Sequence, residues 1–187
     1  MKSEQPLSAE GSQRRRLFTG WVARARQPGI TPTPGALPPS ARPPQALPEA
    51  LFCAACNGCG DCSDACPYGL LTVQQGKVVL NVEFTECDHC LKCTSACQTG
   101  ALRAGMPGDT TLRPQISASC LGLRDSCRMC AISCPQRALS FNQTVHGEGQ
   151  WQCDDRQCNG CGLCKLSCFH GHILLVPTGE KRLPTSL

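Results

Sequence analysis

The chain has 187 residues, 18 of them cysteine, and only five Phe, two Trp and one Tyr. So few rings exclude a large aromatic core, and the length excludes much more than two small domains. The net charge of +4 sits wholly in residues 1–50, where seven basic residues (Lys2, Arg14, Arg15, Arg16, Arg24, Arg26, Arg42) face Glu4, Glu10 and Glu49.

From the N-terminus, Met1 to Gln13 is polar, with no apolar stretch beside the arginines, so no secretory signal is expected. Arg15-Arg16-Leu17-Phe18 superficially resembles a twin-arginine export signal. Arg24, Arg26 and the prolines stand where its apolar region should follow. The longest aliphatic run, Ile173-Leu174-Leu175-Val176, is far too short to span a membrane. The expectation is a soluble, cytoplasmic protein with reduced thiols, which disfavours a disulfide scaffold. Neither membrane insertion nor nucleic-acid binding is expected. Eight prolines between Pro28 and Pro48 make an extended or disordered linker, so residues 1–50 read as a basic arm and Pro-rich linker.

From Cys53 onward the unit C-x2-C-x2-C-x3-C recurs. The first run is Cys56, Cys59, Cys62 and Cys66, followed by Leu70-Leu71. The second is Cys87, Cys90, Cys93 and Cys97, followed by Ala101-Leu102. The third opens wider, with Cys120, a six-residue gap, then Cys127, Cys130 and Cys134 before Ala138-Leu139. The fourth is Cys158, Cys161, Cys164 and Cys168, followed by His172-Ile173.

Leu71–Val73 and Lys77–Val82, flanking Gln74-Gln75-Gly76, predict a short hairpin. Single helical turns are expected at Ser63–Ala65, Thr94–Ala96, Ile132–Ser133 and Leu166–Ser167, each ending at a fourth cysteine. Gly105 to Pro114, with two prolines and two glycines, reads as the connection between halves. The fold expected is α+β, small and loop-rich. It comprises two tandem ferredoxin-like halves, residues 51–107 and 115–178, stapled by clusters, with a disordered N-terminal arm and a tail at 179–187.

A two-residue gap lets one tight loop present successive thiolates to one metal centre. Zinc uses such pairs, but one ion does not easily take four cysteines from so short a loop. A cubane spreads four iron corners over a larger volume: three cysteines cap three corners and the fourth reaches a neighbouring cluster. Four runs therefore imply four [4Fe–4S] clusters on the sixteen cysteines named. Each cluster core with its thiolates carries roughly −2, so the loaded body would be acidic. Adjacent runs exchanging fourth cysteines and a nested pairing of outer with outer and inner with inner runs both remain open.

Cys53 and Cys153 fall outside the runs and read as free thiols. Proline follows the fourth cysteine as Pro67 and Pro135; Gln98 and Phe169 replace it elsewhere without loss of a ligand. His89 reads as a solvated loop residue. No phosphate-binding glycine loop, nucleophile motif or pair of catalytic carboxylates is evident, so an electron carrier is expected rather than an enzyme.

The four runs resemble bacterial ferredoxin-type polyferredoxins. Arg14-Arg15-Arg16-Leu17-Phe18-Thr19-Gly20-Trp21, the wide third run and Cys158-Asn159-Gly160-Cys161-Gly162 narrow the resemblance to the NapF family, the ferredoxin-type accessory proteins of periplasmic nitrate reductase systems. The resemblance implies a cytoplasmic [4Fe–4S] protein that assists maturation of a molybdenum-containing catalytic subunit of the NapA kind before export. The proline-rich insertion and the two extra cysteines depart from it. The rival expectations are an electron-transfer subunit of another oxidoreductase complex and a client-binding chaperone whose clusters are purely structural.

Overall fold

Two-residue turns with positive φ at both positions match the twist of antiparallel strands. Gln75 (φ 51°) and Gly76 (φ 71°) supply one, joining β1 (Leu71–Gln74) to β2 (Lys77–Leu80) with Leu71 opposite Leu80 and Val73 opposite Val78. The expected hairpin is therefore present, with Leu71, Val78 and Leu80 buried. The computed structural model describes residues 40–143 and 149–178. The arm with its arginines, the segment 144–148 and the tail 179–187 lie outside the described residues.

The second half repeats the plan of the first. A hairpin of β4 (Leu139–Gln143) and β5 (Gly149–Cys153) lies between the third and fourth runs. Phe141 and Trp151 pair across it, ring centres 5.1 Å apart and edge to face. Each half also has an outer pair, made from the segment before its first run and the segment after its second. In the second half this is β3 (Leu112–Ile116) against β6 (Ile173–Pro177), antiparallel. In the first it is reduced to Ala46 opposite Leu102, flanked by Leu47 N–H to Ala101 C=O at 2.9 Å and Arg103 N–H to Gln45 C=O at 2.9 Å.

That outer pair corrects the linker boundary. Residues 40–47 are not a solvated linker but a strap on the first half. Ala41 and Ala46 are buried, as are the rings of Pro43 and Pro44. Arg42 holds the strap down: it pairs with both carboxylate oxygens of Glu49 (3.0 and 2.6 Å), donates to Val78 C=O at 2.7 Å and stacks over Phe52 at 4.6 Å. Phe52 is fully buried on α1 (Glu49–Ala55), which Pro48 precedes and Glu49 opens.

The four helical turns are also present, shifted toward the N-terminus from their expected places. They are α2 (Asp61–Asp64), α3 (Lys92–Ala96), α4 (Met129–Ile132) and α5 (Leu163–Leu166), so each carries the third cysteine of its run rather than only approaching the fourth. Much of the connection between halves is buried. Asp109, Thr110 and Thr111 are inaccessible, and Arg113 in β3 is bidentate to Asp109 at 3.0 and 2.8 Å. Two apolar clusters result. The larger joins the strap, α1, the first hairpin and Leu112; the smaller gathers Cys130, Leu139 and Ile173. Among the described residues no helix is long and apolar enough to cross a membrane.

Candidate iron–sulfur centres

In the three regular runs, the residue after the first cysteine is Asn or Asp. Its side-chain oxygen accepts the N–H two positions on: Asn57 from Cys59 (3.1 Å), Asp88 from Cys90 (3.0 Å) and Asn159 from Cys161 (3.2 Å). Such a turn curls the loop so that first and second thiols face the same side. The recurring Asn or Asp was visible in the sequence and its role was missed. The third run lacks this device. Its wide gap is closed by the short 3₁₀ turn Leu121–Leu123 and by Arg128, which donates to Gly122 C=O (2.9 Å) and Cys127 C=O (2.7 Å) while stacking over Phe141 at 3.6 Å. Gly122 is needed for this closure, since a Cβ there would stand 2.8 Å from Cys127 O and 2.9 Å from Trp151.

The thiols gather around cavities. Cys56, Cys59, Cys62 and Cys97 line one, together with Phe52, Val78 and Leu102. Cys66, Cys87, Cys90 and Cys93 line a second, with Leu70, Leu71 and Leu80. Cys134, Cys158, Cys161 and Cys164 line a third, with Pro114, Leu139 and Leu175. Cys120 and Cys168 lie close enough to Cys130 to add to the cost of ionising it, and Arg128 bonds at Cys127. Each of the three cavities combines three cysteines of one run with the fourth of its neighbour. That is the sequential exchange, not the nested one. Among the described residues no three His, Cys, Asp or Glu side chains are gathered as a single ion would need. The wider ring of four thiols with an apolar lining fits a polynuclear iron–sulfur centre.

None of the eighteen cysteines is joined in a disulfide. Burial pushes Cys62 and Cys130 up to about 11, and Cys87 and Cys164 up to about 12. Metal must therefore displace their protons. Cys97 differs. Burial also opposes ionisation of Cys97, but the N–H of Leu102 and the Thr99 hydroxyl outweigh it and hold the thiol below its ordinary value. Ala138 N–H and His172 N–H meet Cys134 and Cys168 sulfur likewise, at 3.4 and 3.3 Å. The residue pair after the second, third and fourth runs is thus a source of N–H···S bonds, which stabilise thiolate and tune a bound cluster.

Cys53 and Cys153 line none of the three four-cysteine cavities. Cys53 donates to Glu49 Oε1 at 3.2 Å. Cys153 shares a hydrogen bond with Cys158 that keeps the proton on Cys153 and favours the Cys158 thiolate. His89 is corrected: its Nε2 is buried without a hydrogen-bond partner, and burial depresses its basicity.

A family described as a 4Fe-4S dicluster domain matches twice, over residues 55–101 and 124–172. An uncharacterized protein of Haemophilus influenzae is 43% identical over 135 residues, 72% of this chain and 76% of its own. The ferredoxin-type protein NapF of Escherichia coli is 33% identical over 129 residues, 68% and 79% of the two chains. The methylamine utilization ferredoxin-type protein MauM of Paracoccus denitrificans is 34% identical over 151 residues, 70% and 67% of the two. Two dicluster units, each built on two cysteine runs, hold four [4Fe–4S] clusters. The chain belongs to the family of NapF-like ferredoxin-type proteins built on the 4Fe–4S dicluster domain.

Proposed function

We propose that this chain is a four-cluster electron carrier with no catalytic site of its own, serving an oxidoreductase during its maturation. The observation that carries the reading is the grouping of three cysteines from one run with the fourth of the next around each of three apolar cavities. The ligand sets are Cys56, Cys59, Cys62 with Cys97; Cys87, Cys90, Cys93 with Cys66; Cys120, Cys127, Cys130 with Cys168; and Cys158, Cys161, Cys164 with Cys134. Cys120 precedes the matched stretch 124–172, and its place in the third set rests on its position beside Cys130. Bound clusters supply reversible one-electron chemistry. The chain's part is to hold them apart from water and to set N–H···S bonds around them.

The likeness to NapF supports the cytoplasm as the place of action and a molybdenum-containing catalytic subunit of the NapA kind, before export, as the client. The comparable identity to MauM supports a second reading, in which the client is a different oxidoreductase. Anaerobic capture of the loaded chain on each precursor, with iron and sulfide analysis and EPR of the reduced protein, separates the two. About sixteen irons per chain and retention of the molybdoenzyme precursor are expected. Retention of neither precursor, or clusters that resist a low-potential reductant, would overturn the carrier role. Deleting residues 1–27 should leave the clusters intact and weaken capture, more at low salt than at high.

A further inference from the structure

Inside each half, the helical turns already join neighbouring sites. Turn α2 carries Cys62 at the first cavity and leads to Cys66 at the second, while α3 carries Cys93 at the second and leads to Cys97 at the first. The same relation holds for Cys130 with Cys134 and Cys164 with Cys168. What joins one half to the other is a separate contact between two cysteine-bearing loops.

Cys87 N–H donates to Cys161 C=O at 2.9 Å. Both residues line four-cysteine cavities, the second and the fourth-run one respectively. Around this bond the surfaces are fitted. Gly162 lies against the buried Val82, and Leu175 packs on the larger core. Glu83 and Lys165 pair at the rim. Thr110 fastens the other side of the fourth loop, its N–H to Asn159 C=O at 3.1 Å and its hydroxyl to Gly160 C=O at 2.8 Å.

We infer that the four sites form one relay in the spatial order first, second, fourth, third, with the Cys87–Cys161 peptide contact as its central junction. This rests on the proposed ligand sets. Across the junction, sulfur is linked to sulfur by covalent bonds interrupted by one hydrogen bond. An electron crossing it leaves one site oxidised by one unit and its neighbour reduced by one, with no bond broken and no proton moved. The electron is supplied by an external low-potential one-electron donor. The first and third sites are then the two ends, so an electron received at one half can leave from the other.

The test empties the two ends. In the Cys59→Ser/Cys127→Ser double variant of the full chain, loaded anaerobically and fully reduced, only the second and fourth sites hold clusters. The relay expects a spin-coupled EPR spectrum, broadened and fast-relaxing, at about eight irons per chain. Two superposed isolated spectra at that iron content would overturn it. The converse variant, Cys90→Ser/Cys161→Ser, should give isolated spectra; coupling there would overturn the order. Amide exchange in the wild-type holoprotein guards against a variant that does not fold: the Cys87 N–H should exchange roughly a hundredfold more slowly than that of exposed Phe84. Equal rates would overturn the junction. Wild-type iron far below about sixteen, with Cys87 still protected, would instead overturn the cluster reading on which the relay rests.

Discussion

Cys97 stands at the first cavity although its own run forms the second, because α3 turns the chain between Cys93 and the fourth cysteine. Cys97→Ser should therefore perturb the cluster of the first run and spare the other three, read as loss or change of one EPR signal with iron falling from about sixteen toward about twelve. A change confined to the fourth run would refute the sequential pairing. Arg128 is the corresponding single point of closure in the third run. Arg128→Ala removes the guanidinium that spans Gly122 and Cys127 and covers Phe141. It should release the third-site cluster while Arg128→Lys restores it only in part, since an ammonium lacks the planar fork; iron analysis after gel filtration checks both. Spacing marks the sixteen cysteines as candidates, because a two-residue gap constrains geometry locally. The same sequence gave no sign that Arg113 and Asp109 would be buried. Opposite charges four residues apart ordinarily mark a solvated face, whereas here Arg113 lies within β3, paired to β6, and both groups are buried.

Among the elements, the strap shows why composition misleads. Proline lacks an N–H, which suits a linker, but it equally suits an edge segment whose rings pack inward and whose donors are not needed. Pro43 and Pro44 do the latter. The β1–β2 hairpin was legible because Gln75-Gly76 specifies its own turn, whereas β4 and β5 depend on cross-strand partners that no local signal marks. Phe52 is the pin between strap and helix. Phe52→Ala should cost about 3 kcal/mol locally. The Leu47 and Arg103 amides, which close the outer pair, should then exchange roughly a hundredfold faster with clusters retained. Unchanged exchange would mean that Arg42 and Glu49 hold the strap alone.

For the whole molecule, the buried thiols couple loading to pH. Cys62, Cys87, Cys130 and Cys164 are held at about 11 or 12 by burial, above the ordinary thiol value of about 9. At pH 7–8 they are protonated before iron binds, and each proton must leave when the thiolate forms. Loading should then release protons to the medium and strengthen as pH rises, with the dependence continuing to about 12 rather than levelling near 9. Proton release in a weakly buffered reconstitution, and iron uptake at several pH values, check the sign. Uptake that weakens as pH rises would contradict the burial of these groups. Chelation of the iron should in turn unfold both halves, because the apolar clusters are small and their cysteines face the cavities.

The crossed fourth cysteines also set a timetable for synthesis. A growing chain that has exposed Cys56, Cys59 and Cys62 cannot complete that first site until Cys97 has left the ribosome, by which time Cys66 and the second run are out as well. The strap waits over the same interval for Ala101 to Arg103, its partners in the outer pair. Neither iron site of the second half can close until Cys158 to Cys168 appear, and β3 must wait for β6. Translation thus delivers iron sites in pairs, and a message truncated between Cys97 and Cys158 would yield one finished half with the start of a second that has no means to hold a cluster.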